Sequence, residues 1–208
     1  DVLVQNYSGR SMEKLGFSYA QIKKINPNII YCSMTGFGRT GPKAEHPAYD
    51  SIIQAYSGLM ELNGVKATGP IRVGPAIVDY WTCIHAAFAI SSALYRRQIT
   101  GEGLEIDLSM LDAAIMLMTS TVSDSLSSGI TKSSYGNNHP DHPGYGAFNA
   151  SDRMIVIGAF TKKQLCNLLL GLNLKKEEKL ASSLTKKEMK ASYSELRNSI
   201  ENLSLIHI

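Results

Sequence analysis

An α/β fold is predicted for this 208-residue chain. The run Asn28-Ile-Ile-Tyr-Cys-Ser-Met34 is short, apolar and β-prone, as a strand covered on both faces of a parallel sheet would be. Residues 1–5 and 105–109 read as further strands, the second alternating apolar and polar. The segments between them have helical spacing, and the one over 77–97 is almost wholly apolar.

The remaining elements follow in order. After the first strand, Asn6-Tyr-Ser-Gly9 is a loop, and a short helix over 11–15 is stopped by Gly16. Ser18 caps the next helix, which Pro27 ends. Thr35-Gly-Phe-Gly-Arg-Thr-Gly-Pro42 then packs three glycines and a proline into eight residues, giving the backbone freedom to approach a ligand closely. It lacks the Gly-Lys-Ser/Thr of a phosphate-binding P-loop. A helix is expected over 50–62, and the long apolar helix is closed by Thr100-Gly-Glu-Gly103. A second apolar helix is expected over 111–122. Beyond it come a polar loop over 129–146, a hairpin with strands at 147–149 and 154–158, and helices to the end. Helices apolar on every side need cover on every side, so both long apolar segments are expected to bury against another domain or subunit.

Hydrophobic residues make up 44% and charged residues 19% of the chain, which excludes a disordered polymer. The net charge of +3 is uneven: eight lysines against three glutamates between Lys162 and Lys190 leave a local +5 and about −2 elsewhere. That basic run has no interleaved aromatics and reads as a solvated helical surface rather than a nucleic-acid groove. Cys32, Cys83 and Cys166 are odd in number and lack metal-ligand spacing, which points to reduced thiols in a cytoplasmic setting. The apolar run over 84–94 is too short to span a bilayer, so no membrane partner is expected. The chain opens without an initiator methionine, and residues 203–208 read as a non-native tail of the kind a sequencing-library adapter encodes. An internal fragment is therefore expected.

The most informative single residue is Asp79, in Arg72-Val-Gly-Pro-Ala-Ile-Val-Asp79-Tyr-Trp. It stands where a Gly/Pro loop becomes the long apolar helix. A carboxylate in a first helical turn meets unpaired backbone N–H groups and the positive end of the helix dipole. These favour the ionised form and burial favours the neutral one, so their balance decides whether Asp79 is a nucleophile or a plain cap.

Several collinear segments together resemble the class III CoA-transferase family, which also contains the α-methylacyl-CoA racemases. They are Asp1-Val-Leu-Val-Gln-Asn-Tyr, Leu15-Gly-Phe-Ser-Tyr, the stretch from Asn26 through the glycine-rich loop to Pro42, Tyr49-Asp-Ser-Ile-Ile-Gln-Ala-Tyr-Ser-Gly58, and Arg72 to Asp79. Thr100-Gly-Glu-Gly and Asp107-Leu-Ser-Met-Leu-Asp112 continue the series. The resemblance runs from Asp1 to about Gly158 and loosens in the lysine-rich tail. It implies an α/β protein of about twice this length that forms an interlocked homodimer. Residues 1–128 would be a partial nucleotide-fold large domain with linking helices, and 129–202 part of a smaller α+β domain.

The resemblance also assigns roles. Asp79 falls on the family's catalytic aspartate. Asn6, Tyr7 and Ser8 fall on a loop that contacts coenzyme A, and Lys14 on a basic position near its phosphates. Pro47, Ala48, Tyr49 and Asp50 fall on a second contacting stretch, and Met110 on a position near bound coenzyme A. Taken without the family, Asn6 is equally an Asx turn, Lys14 a surface lysine, Tyr49 half-buried packing and Met110 a core side chain. Coenzyme A and acyl-CoA enter as substrates, with no permanently bound cofactor and no metal.

The implied reaction moves CoA from an acyl-CoA to a free carboxylic acid through an aspartyl-CoA thioester on Asp79. The glycine-rich loop and the helix N-terminus are candidate donors to the developing oxyanion. The alternative is 2-methylacyl-CoA racemisation, in which a histidine precedes the aspartate aligned with Asp50. Here that position is Tyr49, and a phenol is a poor α-proton base at neutral pH where an imidazole is well matched. His46 and His85 are the nearest imidazoles. A third reading is an inactive CoA-binding homologue. The family's glycine-rich lid has no clear counterpart; the stretch from Gly136 to Gly146, with His139 and His142, is the nearest substitute, and Pro47 replaces a basic residue of some members.

Overall fold

The computed structural model describes residues 1–7 and 9–207, and its chain divides into two units, 1–134 and 135–208. In the first, β1 (Val2–Gln5), β2 (Ile30–Thr35) and β3 (Leu104–Ser109) form a parallel sheet in that spatial order. Val4 is level with Cys32, and Cys32 with Ile106. Between β1 and β2 run α1 (Gly9–Lys14) and α2 (Tyr19–Ile25); α2 starts at a capping box in which Ser18 and Gln21 exchange hydrogen bonds. Between β2 and β3 lie α3 (Asp50–Tyr56), α4 (Leu59–Leu62) and α5 (Ile77–Thr100), and after β3 come α6 (Met110–Leu117) and α7 (Thr119–Ser128).

The sheet is held by α5. Its small residues Ala86 and Ala93 are buried against Ile30, Cys32 and Ile106, so the helix axis comes close to the strands. Ala89, Ile90 and Leu94 extend the same face. Each large aliphatic side chain withdrawn from water in this way contributes about 1.5–3 kcal/mol. At the far end Gly101, at φ +73°, donates its N–H to the Arg97 carbonyl at 2.8 Å and stops the helix. Arg97 then donates to the main-chain carbonyls of Asp1 and Asn28, both at 3.1 Å, tying the helix end to the first two strands.

Three expectations change. The helix expected over 50–62 is two, because Gly58 adopts φ +84° and breaks the ladder. The helix expected over 111–122 is broken at Met118, where the Thr119 hydroxyl donates to the Met116 carbonyl at 2.5 Å and competes with the backbone. Only its first half is apolar; the second, Thr-Ser-Thr-Val-Ser-Asp, is polar. The apolar segment is also longer than the run over 84–94 suggested. Among the described residues α5 is one helix long and apolar enough, by length and composition, to cross a membrane. Its alanine face is nevertheless packed on the sheet.

In the second unit β4 (Tyr145–Asn149) and β5 (Met154–Gly158) form the expected hairpin. Four helices follow: α8 (Lys162–Gly171), α9 (Lys175–Ser183), α10 (Lys186–Ala191) and α11 (Tyr193–His207). Phe148, Leu165, Leu169, Ala181, Met189, Leu196 and Ile200 form their core. Arg197 lies over the Phe148 ring at 4.0 Å and donates to the Ala147 carbonyl, while Glu201 accepts from Asn149 N–H at 2.9 Å. The eight lysines of the basic run are all exposed on α8, α9 and α10.

The joint between α5 and β3 admits no side chain at Gly103. A Cβ there would sit 2.2 Å from the Ile29 carbonyl oxygen. Gly103→Ala is expected to cost about 3 kcal/mol in urea unfolding, at the upper end of overpacking effects. Gly101→Ala, which meets open space and only the left-handed backbone penalty, is expected to cost about 1–2 kcal/mol.

Candidate active site

The carboxyl ends of the three parallel strands carry many of the residues that the sequence singles out. Asn6 and Tyr7 follow β1, the glycine-rich segment follows β2, and Met110 follows β3. Open α/β sheets bind ligands outside this edge. Asn6, Tyr7 and Lys14 are exposed at the β1 end. Tyr7 N–H donates to Gln5 Oε1 at 2.7 Å, and the Gln5 amide donates in turn to buried Ser33 on β2. Ser8 lies outside the described residues.

The glycine-rich segment is pinned on both sides. Arg39 N–H donates to Asp107 Oδ2 at 3.0 Å, and its guanidinium pairs with Glu105, both on β3. Gly36 accepts at its carbonyl from Leu111 N–H at 3.0 Å. A Cβ on Gly36 would stand 2.4 Å from that of Ala48, so the two backbones meet at a distance only glycine permits. Ala48, Met110, Phe37 and the two residues before Asp79, Ile77 and Val78, pack around buried Ile53 and Ala114. The structure therefore brings together Ala48, Met110, the glycine-rich loop and the start of α5. It places Asn6, Tyr7 and Lys14 at the opposite edge strand. Pro47 and Tyr49 are exposed, Tyr49 to 81%.

Asp50 is held by hydrogen bonds within the unit. Its carboxylate is turned inward, at 7% exposure. Oδ2 accepts from Val78 N–H at 2.8 Å and Asp79 N–H at 3.3 Å, and Oδ1 from Gln54 Nε2 at 2.5 Å. The reason lies in α5 itself, whose N-cap Ala76 has no side-chain acceptor. Asp50 reaches across from α3 and supplies the cap. Ile77 N–H donates to the Pro75 carbonyl and Tyr80 N–H to that of Ala76, so the first-turn donors expected to meet the Asp79 carboxylate are taken.

The Asp79 side chain is exposed, yet its pKa is raised above the ordinary aspartate value. Partial loss of water is the larger cause and the charge of Asp50 the second. A more basic carboxylate is a stronger nucleophile once ionised. His85, on the same helix, holds the Trp81 carbonyl through Nδ1 at 2.9 Å, a satisfied helical imidazole. His46 stands edge-on to Phe37 at 6.4 Å. Thr35 Oγ1, at the end of β2, and Trp81 Nε1 are shielded without a hydrogen-bond partner.

A cavity of about 520 Å³ lies in the second unit, lined by His142, Phe160, Leu165, Met189 and Lys190 among others. Neither Asp79 nor any residue expected to contact coenzyme A borders it, whereas His142, from the stretch expected to stand in for the lid, does. In the polar loop beside it His139 and His142 pack ring to ring at 4.5 Å, with His142 on Phe160 at 4.1 Å. His139 Nδ1 accepts from Asp141 N–H at 3.1 Å, and burial, reinforced by His142, lowers the His139 pKa.

Gln54, which the sequence did not single out, is fully buried and hydrogen-bonded to Asp50. Its signal was its place four residues after Asp50, on the same helix face. The raised Asp79 pKa has a consequence for stability. The folded state holds this proton more tightly than the unfolded chain, so ionising Asp79 destabilises the fold as pH rises from about 3.9 through the raised value. Asp79→Asn should therefore raise the melting temperature at pH 7. The gain should vanish below about pH 4, where both states are protonated; melting curves across that range check it.

The whole pattern has counterparts among known proteins. Residues 1–205 match the model of CoA-transferase family III. The chain is 40% identical over 158 residues to the acetyl-CoA:oxalate CoA-transferase of Acetobacter aceti, covering 76% of this chain and 41% of that protein. It is 37% identical over 174 residues to the succinyl-CoA:glutarate CoA-transferase of Mus musculus, covering 84% of this chain and 40% of that protein. A CAIB/BAIF family protein from Brucella suis superposes with a TM-score of 0.82 at 32% identity, over 98% of this chain and 54% of that one. The chain thus spans about half the length of the proteins it matches. With the parallel sheet, the loops at its carboxyl edge and the aspartate at the start of α5 all in place, the chain belongs to CoA-transferase family III.

Proposed function

We propose that the protein carrying this chain transfers coenzyme A from an acyl-CoA to a free carboxylic acid, with Asp79 as the covalent nucleophile. The observation that carries this reading is the Asp79 carboxyl. It is exposed, made more basic by its surroundings, and its backbone is fixed by a buried partner. The names of the relatives, acetyl-CoA:oxalate and succinyl-CoA:glutarate CoA-transferase, support the substrate class.

In this mechanism an Asp79 oxygen attacks the thioester carbonyl and the CoA thiolate leaves, giving an aspartyl–acyl anhydride. The thiolate attacks the aspartyl carbonyl and releases the acyl carboxylate, leaving an aspartyl-CoA thioester. An incoming carboxylate attacks that thioester and expels the thiolate, forming a second anhydride. The thiolate then attacks the new acyl carbonyl, releasing the product thioester and regenerating Asp79. Each step exchanges one acyl bond for another, so the anhydrides divide a difficult exchange into easier ones. Because the first-turn N–H groups of α5 are already taken, the oxyanion donors fall to the glycine-rich loop rather than the helix start. Asn6, Tyr7, Lys14, Pro47, Ala48, Tyr49 and Met110 belong to the same reading as the surface that meets coenzyme A.

The partner belongs to this reading too. Tyr80, Ile84, Phe88, Tyr95 and Ile99 run along one stripe of α5 and are each 56–74% exposed. An apolar stripe of this kind, interrupted by Ser91, is covered in the working protein, and an interlocked homodimer supplies the cover. Cytoplasmic location fits the three unpaired cysteines, two of which, Cys32 and Cys166, have thiols that burial makes less acidic.

Incubation with acyl-CoA followed by hydroxylamine should mark Asp79. Asp79→Ala should lose CoA exchange by at least about 10³-fold, the scale on which removing a covalent nucleophile acts; a variant that keeps exchange overturns the assignment. In deuterated water the protein should exchange CoA between carboxylates without deuterating the acyl α-carbon. Rapid α-deuteration with no CoA exchange would instead make it a racemase.

A further inference from the structure

We propose that Gln54 is a positioning residue for Asp79, acting as one half of a two-point clamp that α3 places on the loop leading into α5. This inference rests on the reading of Asp79 as the nucleophile.

Asp50 and Gln54 are one helical turn apart and point to the same side of α3. Gln54 is 0% exposed. Its Oε1 accepts from Val73 N–H at 2.8 Å, while its Nε2 reaches the Val73 carbonyl at 3.4 Å and donates to Asp50 Oδ1 at 2.5 Å. A primary amide is the side-chain group that can accept from an N–H and donate to a C=O of one residue, as a neighbouring strand would. Asp50 meanwhile holds Val78 and Asp79 by their N–H groups. The loop is thus fixed at Val73 by one side chain and at Val78 and Asp79 by the other, and the two side chains are bonded to each other.

Only four residues lie between the fixing points, and all but Gly74 are held. Gly74 and Pro75 are followed by Ala76 at φ −73° and ψ 65°, with Ile77 N–H on the Pro75 carbonyl at 2.8 Å, an inverse γ-turn. A shift at Val73 therefore passes through a short, stiff turn into the first residues of α5. Displacing a reacting group by about 1 Å can cost about 10²-fold in rate. Gln54 is shut inside the unit and does not touch substrate, so its effect should appear in the chemical step and not in binding.

The test uses Gln54→Met, which keeps length and apolar volume but removes all three hydrogen bonds, and Gln54→Glu, which keeps the acceptor but loses the donor and faces Asp50 with a second carboxyl group. The measurements are the rate and final extent of hydroxylamine trapping at Asp79, with KM for acyl-CoA and melting temperature alongside. The expected result for Gln54→Met is trapping at Asp79 that goes to completion about 10–100-fold more slowly, with KM within about twofold of the parent protein. Gln54→Glu should be slower than the parent at neutral pH, with KM likewise held. A trapping rate equal to the parent's in both variants overturns the clamp. So does a rate loss that merely follows the unfolded fraction, or one matched by a rise in KM. Absence of trapping at Asp79 in the parent protein would defeat the nucleophile assignment itself and is thereby told apart from failure of the clamp.

Discussion

The Asp50 carboxylate, buried between α3 and α5, is the interaction on which the candidate site depends. The helix that starts at Ile77 has Ala76 at its N-cap, and the loop before it, with Gly74 and Pro75, offers no side-chain acceptor. Asp50 fills that need from another helix and accepts two main-chain N–H groups and one amide N–H. A buried carboxylate is tolerated when its oxygens are hydrogen-bonded in this way. Its charge then acts on Asp79 next door, whose ionisation it opposes. One side chain thereby fixes the Asp79 backbone and adds to the effect of burial in making its carboxyl more basic. The stability lost by ionising Asp79 is the counterpart of that basicity.

The second constraint is close approach. Gly103 lets β3 start against the Ile29 carbonyl, and Gly36 lets the loop after β2 lie on Ala48. The first sets the register of the sheet and the second seats the glycine-rich loop beside the start of α5. Arg39, bonded to Asp107 and paired with Glu105, holds the outer side of the same loop. These contacts place a mobile type of sequence in a fixed position, which is the condition for preorganised donors.

The apolar character of α5 has two separate uses. One face carries the alanines that seat it on the sheet. The opposite stripe, from Tyr80 to Ile99, carries large side chains that nothing within the first unit covers. The sequence reports both faces simply as apolar, because hydropathy has no direction. The difference between small and large side chains separates the face packed within the unit from the face left exposed.

The sequence by itself determined the α/β class, the strands and most helix starts, and placed Asp79 in the first turn of the long apolar helix, because these rest on local signals. Buried β-prone runs, a Ser/Gln capping box and a Gly/Pro loop before an apolar helix are read from neighbouring residues. It did not determine where helices break. Gly58 and Thr119 act through backbone conformation and a side-chain bond that compete with helical propensity and win. Nor could it assign Asp50 and Gln54. Their partners Val73, Val78 and Asp79 lie 19 to 29 residues away in the chain, and their chemistry alone fits a surface contact with a ligand as well as a buried clamp. Only the tertiary structure decided that the carboxylate points inward, since that choice depends on which backbone groups the packing of α3 against α5 leaves without a partner.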